Sequence, residues 1–426
     1  MLALLALVLM APPTCQGMTC QEHGRESRRM GARGKGGIAY AMFEFAPTGG
    51  ANMGAACACT PVAGAKGEIL TYTRASVGTC TKGHTTSGIR DGDLVVCASG
   101  QPRVMPGGDG TGPLGILMES AKANRILRSA ELCDAAWSDV GTPNCSSDAQ
   151  TGPFGTTTMD QLTDNDAAAF EGRSQPYVSS SQNARAVSCY VKAGTATSAT
   201  ITLVGTGNSA GDCTGTVTGL STTTSKRISC VGAAYGAGIT SALLTIKVGT
   251  DVADTGTIFV EGCQHETNAP YVSSYVPTTS AQVTRAIDAL TYPTTNFAAS
   301  NTLSVAATIV PLWTPTTVSF TPGIVTMNGA NGSSLYVTTA LRFLTGATAN
   351  PNSALTTTVP ARVYGYDNGT NAVNAYDTNT NSVASGAAAS RWGTSMGIGD
   401  GAPAGVGALD GVIKQVCVDP NPSRCR

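Results

Sequence analysis

Apolar and polar residues alternate with period two along much of the chain, the mark of strands that bury one face. The pattern is most regular between residues 141 and 292. Ala186-Val-Ser-Cys-Tyr-Val-Lys192, Ala199-Thr-Ile-Thr-Leu-Val204, Lys226-Arg-Ile-Ser-Cys230, Ala242-Leu-Leu-Thr-Ile-Lys-Val248 and Gly256-Thr-Ile-Phe-Val-Glu261 all carry it. Clusters of Gly, Asn, Asp or Ser separate these runs, so they predict a sandwich or jelly roll rather than βαβ units. A second block follows, in Thr302-Leu-Ser-Val-Ala-Ala-Thr-Ile-Val310, Ser334-Leu-Tyr-Val-Thr338, Ala361-Arg-Val-Tyr-Gly-Tyr366 and the closing Gly411-Val-Ile-Lys-Gln-Val-Cys-Val418. Before residue 141 the strands are shorter and broken by glycine: Glu68-Ile-Leu-Thr-Tyr-Thr73, Asp93-Leu-Val-Val-Cys97 and the apolar Gly115-Ile-Leu-Met-Glu119.

The predicted fold class is therefore all-β and multi-module. Residues 1–41 form an apolar and basic N-terminal segment, 42–140 an irregular β-rich region, 141–292 a jelly roll and 293–426 a second β-sandwich. Tyr271 to Pro293 reads as a linker lying on a surface between the last two. Composition agrees with this. Charged residues are 12% and aromatics 5% of the chain, with 51 glycines. That charge content is about half the usual quarter and excludes a polyelectrolyte or a coiled coil. A net charge of −1 gives no electrostatic footprint for nucleic acid. The one basic cluster, Arg25, Arg28, Arg29, Arg33 and Lys35, reads as a solvated tail.

The 14 cysteines favour disulfides over metal. Structural zinc uses paired knuckles two to four residues apart, whereas the only close pair is Cys57-Ala58-Cys59. The disulfide candidates are Cys80 and Cys97, Cys133 and Cys145, and Cys417 and Cys425, each two bracketing a short stretch. Cys189, Cys213, Cys230 and Cys263 are spread through one strand-rich region. This usage points to an oxidising setting. The apolar run Leu2 to Met10 is too short to span a bilayer. It resembles a signal-peptide core but lacks a preceding basic residue, and a start at Met18, Met30 or Met42 is the alternative.

Catalytic patterns fail on context. Gly207-Asn-Ser-Ala-Gly211 and Gly393-Thr-Ser-Met-Gly397 match a nucleophile elbow as strings, but neither leads into a helical pattern and no histidine follows His265. Gly110-Thr-Gly-Pro-Leu-Gly115 lacks the strand and helix that a dinucleotide loop needs. Glycoside hydrolysis needs two carboxylates flanking the bond, yet Glu266 is the last glutamate in the chain. Asp367, Asp377, Asp400 and Asp410 sit in turn-like settings. Glu261 and Glu266 flank Cys263 and His265, the one cluster with carboxylates and an imidazole. Alternation would put Glu261 and Cys263 on one face, and a solvated strand end is the expected setting. Asp377-Thr-Asn-Thr-Asn-Ser382 opens like a calcium loop but lacks glycine at its sixth place and has Ala388 at its twelfth. No catalytic residue, metal ligand or cofactor is expected.

Three phrases resemble a recurring arrangement in bacteriophage virion proteins, chiefly tail-fibre and other appendage proteins. They are Thr71-Tyr-Thr-Arg-Ala-Ser76; Gly115-Ile-Leu-Met-Glu119 with Ala123-Asn-Arg-Ile-Leu-Arg-Ser129 and Ala135-Ala-Trp137; and Ser274-Tyr-Val-Pro-Thr-Thr279 with Val283-Thr-Arg-Ala286. In that family these phrases flank a jelly roll like a carbohydrate-binding module, often followed by a concanavalin-like or laminin-G-like sandwich. The resemblance implies a non-enzymatic virion surface protein, homotrimeric, that touches other virion proteins and host glycans. It leaves open a capsid-decorating or head-fibre protein, a polysaccharide depolymerase and a secreted bacterial lectin. Calcium is common in such modules, though no ligands are assigned here. The cysteine content departs from the family.

Arg74 and Arg285 each follow threonine and precede alanine in uncharged surroundings. Each can donate up to five hydrogen bonds, and both are expected to clamp strand-end carbonyls or a carboxylate such as Glu119 or Asp288. Sugars bind to an exposed aromatic face with a polar rim. The best strip for that is Tyr364, Tyr366, Asp367, Asn368 and Asn371, with Asn374 nearby.

Overall fold

The computed structural model describes residues 113–293 without a break. Outside them it describes 41–44, 71–82, 93–100, 103–106, 303–312, 323–328, 334–337, 341–345, 348–349, 361–367, 371–376, 379–384, 395–398 and 409–419. Among the described residues there is no helix, and the architecture is all-β. The predicted strands recur with ends shifted by a residue or two, except that Gly256–Thr267 runs six residues past its predicted end at Glu261 and that only Thr71–Thr73 of the predicted Glu68–Thr73 lies among the described residues.

The jelly roll consists of two five-stranded antiparallel sheets. One has the order Lys226–Gly232, Arg185–Ala193, Gly256–Thr267, Thr157–Asp164, Asn144–Thr151; the other runs Cys213–Val217, Ala199–Thr206, Ser241–Val248, Gly172–Val178, Ser138–Val140. Alternate residues of each sheet meet in a single apolar core. Val187, Cys189, Val191, Leu162, Ile258 and Val260 face Ile201, Leu203, Leu244 and Ile246 there. Burying each such side chain is worth about 1.5–3 kcal/mol, which offsets part of the conformational entropy lost on ordering the module. Disulfides reinforce it. Cys213–Cys230 ties the edge strand of one sheet to the edge strand of the other, Cys189–Cys263 bridges neighbouring strands, and Cys133–Cys145 anchors the loop before the module to its opposite edge. Cys80–Cys97 closes the hairpin of Gly78–Lys82 and Asp93–Cys97.

The second pair of sheets is assembled from both ends of the chain. An eight-stranded sheet runs Asn379–Ala384, Asn371–Tyr376, Ala361–Asp367, Leu303–Pro311, Gly411–Asp419, Pro113–Met118, Arg103–Pro106, and Ala41–Glu44 pairs with the free stretch of Gly411–Asp419. A seven-stranded sheet runs Thr71–Thr73, Ala289–Pro293, Ser395–Ile398, Gly323–Asn328, Ser334–Val337, Leu341–Thr345, Thr348–Ala349. Residues 42–140, read from the sequence as a region of their own, thus contribute strands to both sheets of the C-terminal block. The jelly roll is an excursion between Pro113–Met118 and Ala289–Pro293.

Tyr271 to Pro293 differs from the expected surface linker. Ser273, Tyr275, Val276, Thr278, Asp288 and Leu290 are all buried, and the segment forms two short strands. The hydroxyls of Ser273, Ser274 and Thr278 donate to Glu266, Glu119 and the Ile126 carbonyl, and the backbone N of Ser274 and Val276 to Glu119 and Gln264. That satisfaction of polar groups is what allows an irregular stretch to lie inside.

Candidate functional site

The three phrases singled out in the sequence come together where the jelly roll joins the second pair of sheets. At the centre, three guanidiniums face two carboxylates, all essentially without solvent contact: Arg74, Arg103 and Arg285 with Glu119 and Asp288. Arg103 reaches both acids, pairing Nη1 with Glu119 and Nη2 with Asp288, and also donates to the Ser274 hydroxyl. Arg74 pairs with Asp288 at 3.3 Å and donates to the carbonyls of Ser76 and Ala98 at 2.9 and 2.8 Å. Arg285 donates to the Ser120 carbonyl at 2.7 Å and lies 3.4 Å from Glu119. The backbone closes the same circuit: Glu119 N donates to Asp288 Oδ2 at 2.9 Å and Asp288 N to the Glu119 carbonyl at 3.0 Å.

This arrangement follows from the charges. Five ionised groups with no water need mutual pairing, since an isolated buried charge costs several kcal/mol. Burial works against the Arg103 charge, yet the adjacent Asp288 and Glu119 outweigh it and hold its pKa above the ordinary arginine value. Burial, and then Asp288 beside it, push the Tyr72 phenol well up, so it stays neutral and donates to Asp288. A third acid, Asp410, accepts from the backbone N and hydroxyl of Ser120 and is raised by burial. The turn-like setting expected for Asp410 is thus a fully buried one.

The rest of the phrases continue outward from this centre. Asn124 donates to the carbonyls of Cys263 and Val276 and accepts from the backbone N of Ile126 and His265. The hydroxyls of Ser129 and Tyr275 are 2.6 Å apart, and Trp137 Nε1 donates to the Arg128 carbonyl. Arg103 and Tyr72 are the members that the sequence reading did not single out. Arg103 stands outside the repeated phrases, and no local pattern marks its role.

The outward face of the jelly roll's first sheet is covered by this same segment. Tyr275 lies edge-on to Tyr190 at 6.2 Å and against Phe154 at 5.9 Å, with Leu94 packed beside them. Gln264 accepts from Val276 N at 2.7 Å, Glu266 accepts from Ser273 N, and Arg227 donates to the Ser273 carbonyl. The aromatic surface here is spent on internal packing.

The carboxylate–imidazole cluster is divided by that sheet. Gly262, at φ +62°, makes a bulge that breaks the alternation. Glu261 therefore lies opposite Tyr190 on the outward face, while Cys263 points into the core and bonds Cys189. The expected solvated strand end is absent: Glu261 is 2% and Glu266 1% exposed. Glu261 accepts from the Thr158 hydroxyl at 2.6 Å, and burial pushes its pKa up to about 7. The backbone of Gly152 sits over it so closely that any Cβ there would strike the carboxylate. His265 is fully buried on the opposite side, and burial together with Arg185 and Arg125 pushes its pKa down to about 3.

In the aromatic strip, register separates the predicted residues. Tyr364 pairs with Ala306 and Ala375, and Tyr366 with Ser304 and Val373. These positions alternate with Val363, Val305 and Ala307, which are buried, so period two sets Tyr364 and Tyr366 on the opposite sheet face. Asn371, two residues from Val373, shares their face. Asp367 and Asn374 share the face of Val363. Asn368, Cys425, Asp377, Asp400, the Cys57–Cys59 pair, the basic cluster and Leu2 to Met10 lie outside the described residues. The Gly207–Gly211 string is a turn whose Asn208 amide is tied to the Ala237 carbonyl and Ala210 N. Among the described residues no group of acids, cysteines and histidines is arranged to hold a metal, and no helix is long and apolar enough to cross a membrane.

The sequence matches no protein-family model and no curated protein. Among solved structures the chain is similar to the CBM22-1–GH10 modules of endo-1,4-β-D-xylanase 10B from Clostridium thermocellum, complexed with xylohexaose. Identity is 12% over 37% of this chain and 30% of that one, with a TM-score of 0.26. It is also similar to the CBM22-1–CBM22-2 tandem of Xyn10C from Paenibacillus barcinonensis, at 8% identity over 72% of this chain and 93% of that one, TM-score 0.28. Likenesses at this level bear on neither ligand nor mechanism.

Proposed function

We propose that this is a non-enzymatic adhesion protein of a bacteriophage particle, a tail fibre or related appendage, that contacts host-surface glycans. The observation that carries the reading is the convergence of the three appendage-like phrases at one junction, where Ala286 N donates to the Ser76 hydroxyl across 210 residues and Ser274 donates to Glu119 across 155. Phrases that merely recurred by chance in a Gly- and Thr-rich chain would have no reason to meet. In this reading the N-terminal part attaches to the particle or a neighbouring subunit, the assembly is a homotrimer, and many weak glycan contacts add up through copy number. With the jelly roll's aromatic face covered, the glycan face is the eight-stranded sheet around Tyr364, Tyr366 and Asn371. The test is a glycan array with the full chain. Retention on a defined set of glycans, lost at least tenfold in Tyr364→Ala/Tyr366→Ala, supports adhesion. No retention by a folded trimer overturns it in favour of a capsid-decorating protein, and release of reducing ends from polysaccharide would make it a depolymerase.

A second reading, a secreted bacterial lectin-like protein, is favoured by four disulfides among the described residues, since such bonds form and persist in oxidising, extracytoplasmic settings. Imaging of purified particles labelled for this chain separates the two.

A further inference from the structure

At the end of the jelly roll core, between the two sheets, three nitrogen-bearing side chains crowd one aromatic ring with no acid among their partners. Arg185 opens the strand Arg185–Ala193, His265 lies near the end of Gly256–Thr267, Arg125 follows Lys122–Asn124, and Tyr177 stands on Gly172–Val178 in the facing sheet. The Tyr177 ring centroid is 5.4 Å from the His265 ring, 5.6 Å from the Arg125 guanidinium carbon and 6.0 Å from that of Arg185. Arg185 and His265 are both fully buried. Arg185 Nη2 donates to the Ser179 and Ser181 carbonyls, but its Nε and Nη1 have no partner. Both ring nitrogens of His265 and Nε of Arg125 are likewise buried without one.

The contrast with the junction is informative. There every guanidinium meets a carboxylate; here, among the described residues, neither arginine forms an ion pair. The rings of Tyr177 and Tyr235, the latter 5.0 Å from Arg185, offset part of the charge, as cation–π contacts do, by about 0.5–2 kcal/mol. An uncompensated buried cation costs several kcal/mol more than that. Water would satisfy the open N–H groups but leave the charge. A small anion does both, accepting several N–H bonds at once and cancelling one positive charge.

We propose that this cluster holds a small monovalent anion of the chloride or bromide class, bound by Arg185 Nε and Nη1, Arg125 Nε and one N–H of His265. The anion serves as a structural ligand that lets two cations lie at the mouth of an apolar core. It is independent of any glycan site.

The test uses the full chain. Crystals soaked in sodium bromide should show an anomalous peak within hydrogen-bond reach of both Arg185 and His265. In solution, a tenfold rise in chloride above its dissociation constant should raise Tm by roughly 2 °C relative to gluconate at equal ionic strength. Arg185→Gln should abolish that chloride dependence; if that variant does not fold, the two measurements on the unaltered chain decide. A peak without anomalous signal, which would be water, or equal Tm in the two salts, overturns the proposal.

Discussion

The jelly roll core and the junction beside it are both buried, and they are held by opposite means. The core draws Val187, Leu203, Leu244, Ile246 and Val260 from a contiguous stretch of chain and needs only apolar complementarity. The junction draws Arg74, Arg103, Glu119, Arg285 and Asp288 from segments far apart in sequence and needs each charge to find its counterpart. Apolar packing is non-directional and tolerates exchange of similar volumes. A desolvated ion network tolerates almost no change, because removing one partner strands the others. The junction therefore works as a lock on the arrangement of modules rather than as a source of net stability.

The largest expected effect tests that lock. Asp288→Ala leaves three arginines facing Glu119 alone and should destabilise the junction by about 4 kcal/mol. Followed by urea unfolding with tyrosine and tryptophan fluorescence, the loss should appear as an early transition for the second pair of sheets, with the jelly roll transition retained. A single transition, lowered throughout, would erase the distinction between the two regions. Next in size, Leu244→Ala should cost about 3 kcal/mol from lost burial and the cavity left behind. That loss should fall on the jelly roll transition alone.

The smallest effect lies on the face between the two regions, where Glu261 is covered by Gly152. Its folded pKa of about 7 exceeds the 4.5 of a free glutamate, so the folded state holds the proton more tightly. Stability from this group is full below about pH 4.5 and is lost as pH rises to about 7. His265, at about 3 against 6.5, acts in the opposite sense: its contribution is full above pH 6.5 and is lost as pH falls toward 3. The two slopes oppose each other where they overlap. Glu261→Gln should remove one of them, so between pH 5 and pH 8 the variant gains about 2 kcal/mol relative to the unaltered chain. Thermal unfolding at the two pH values measures it, and an unchanged difference would mean that Glu261 is not desolvated by the loop above it.

Local pattern was enough for the strands and the fold class. Period-two alternation with turn residues between is a short-range signal, set by which residues a half-buried strand can accept, and it located strands such as Ala199–Thr206 and Gly411–Asp419 within a residue or two. It also marked Arg74 and Arg285 as arginines in need of acceptors. What it could not contain was the pairing. Arg103 carries no local mark, and its partners lie 16 and 185 residues away. The bulge at Gly262 turned Glu261 and Cys263 to opposite faces, because one inserted residue inverts a period of two. The segment after Tyr271 looked like a linker by its prolines and serines, yet it lies buried because both modules satisfy its polar groups. Strands are chosen by neighbours along the chain. Sheet partners, buried charges and the faces left open are chosen by contacts between residues that meet only once the chain has closed on itself.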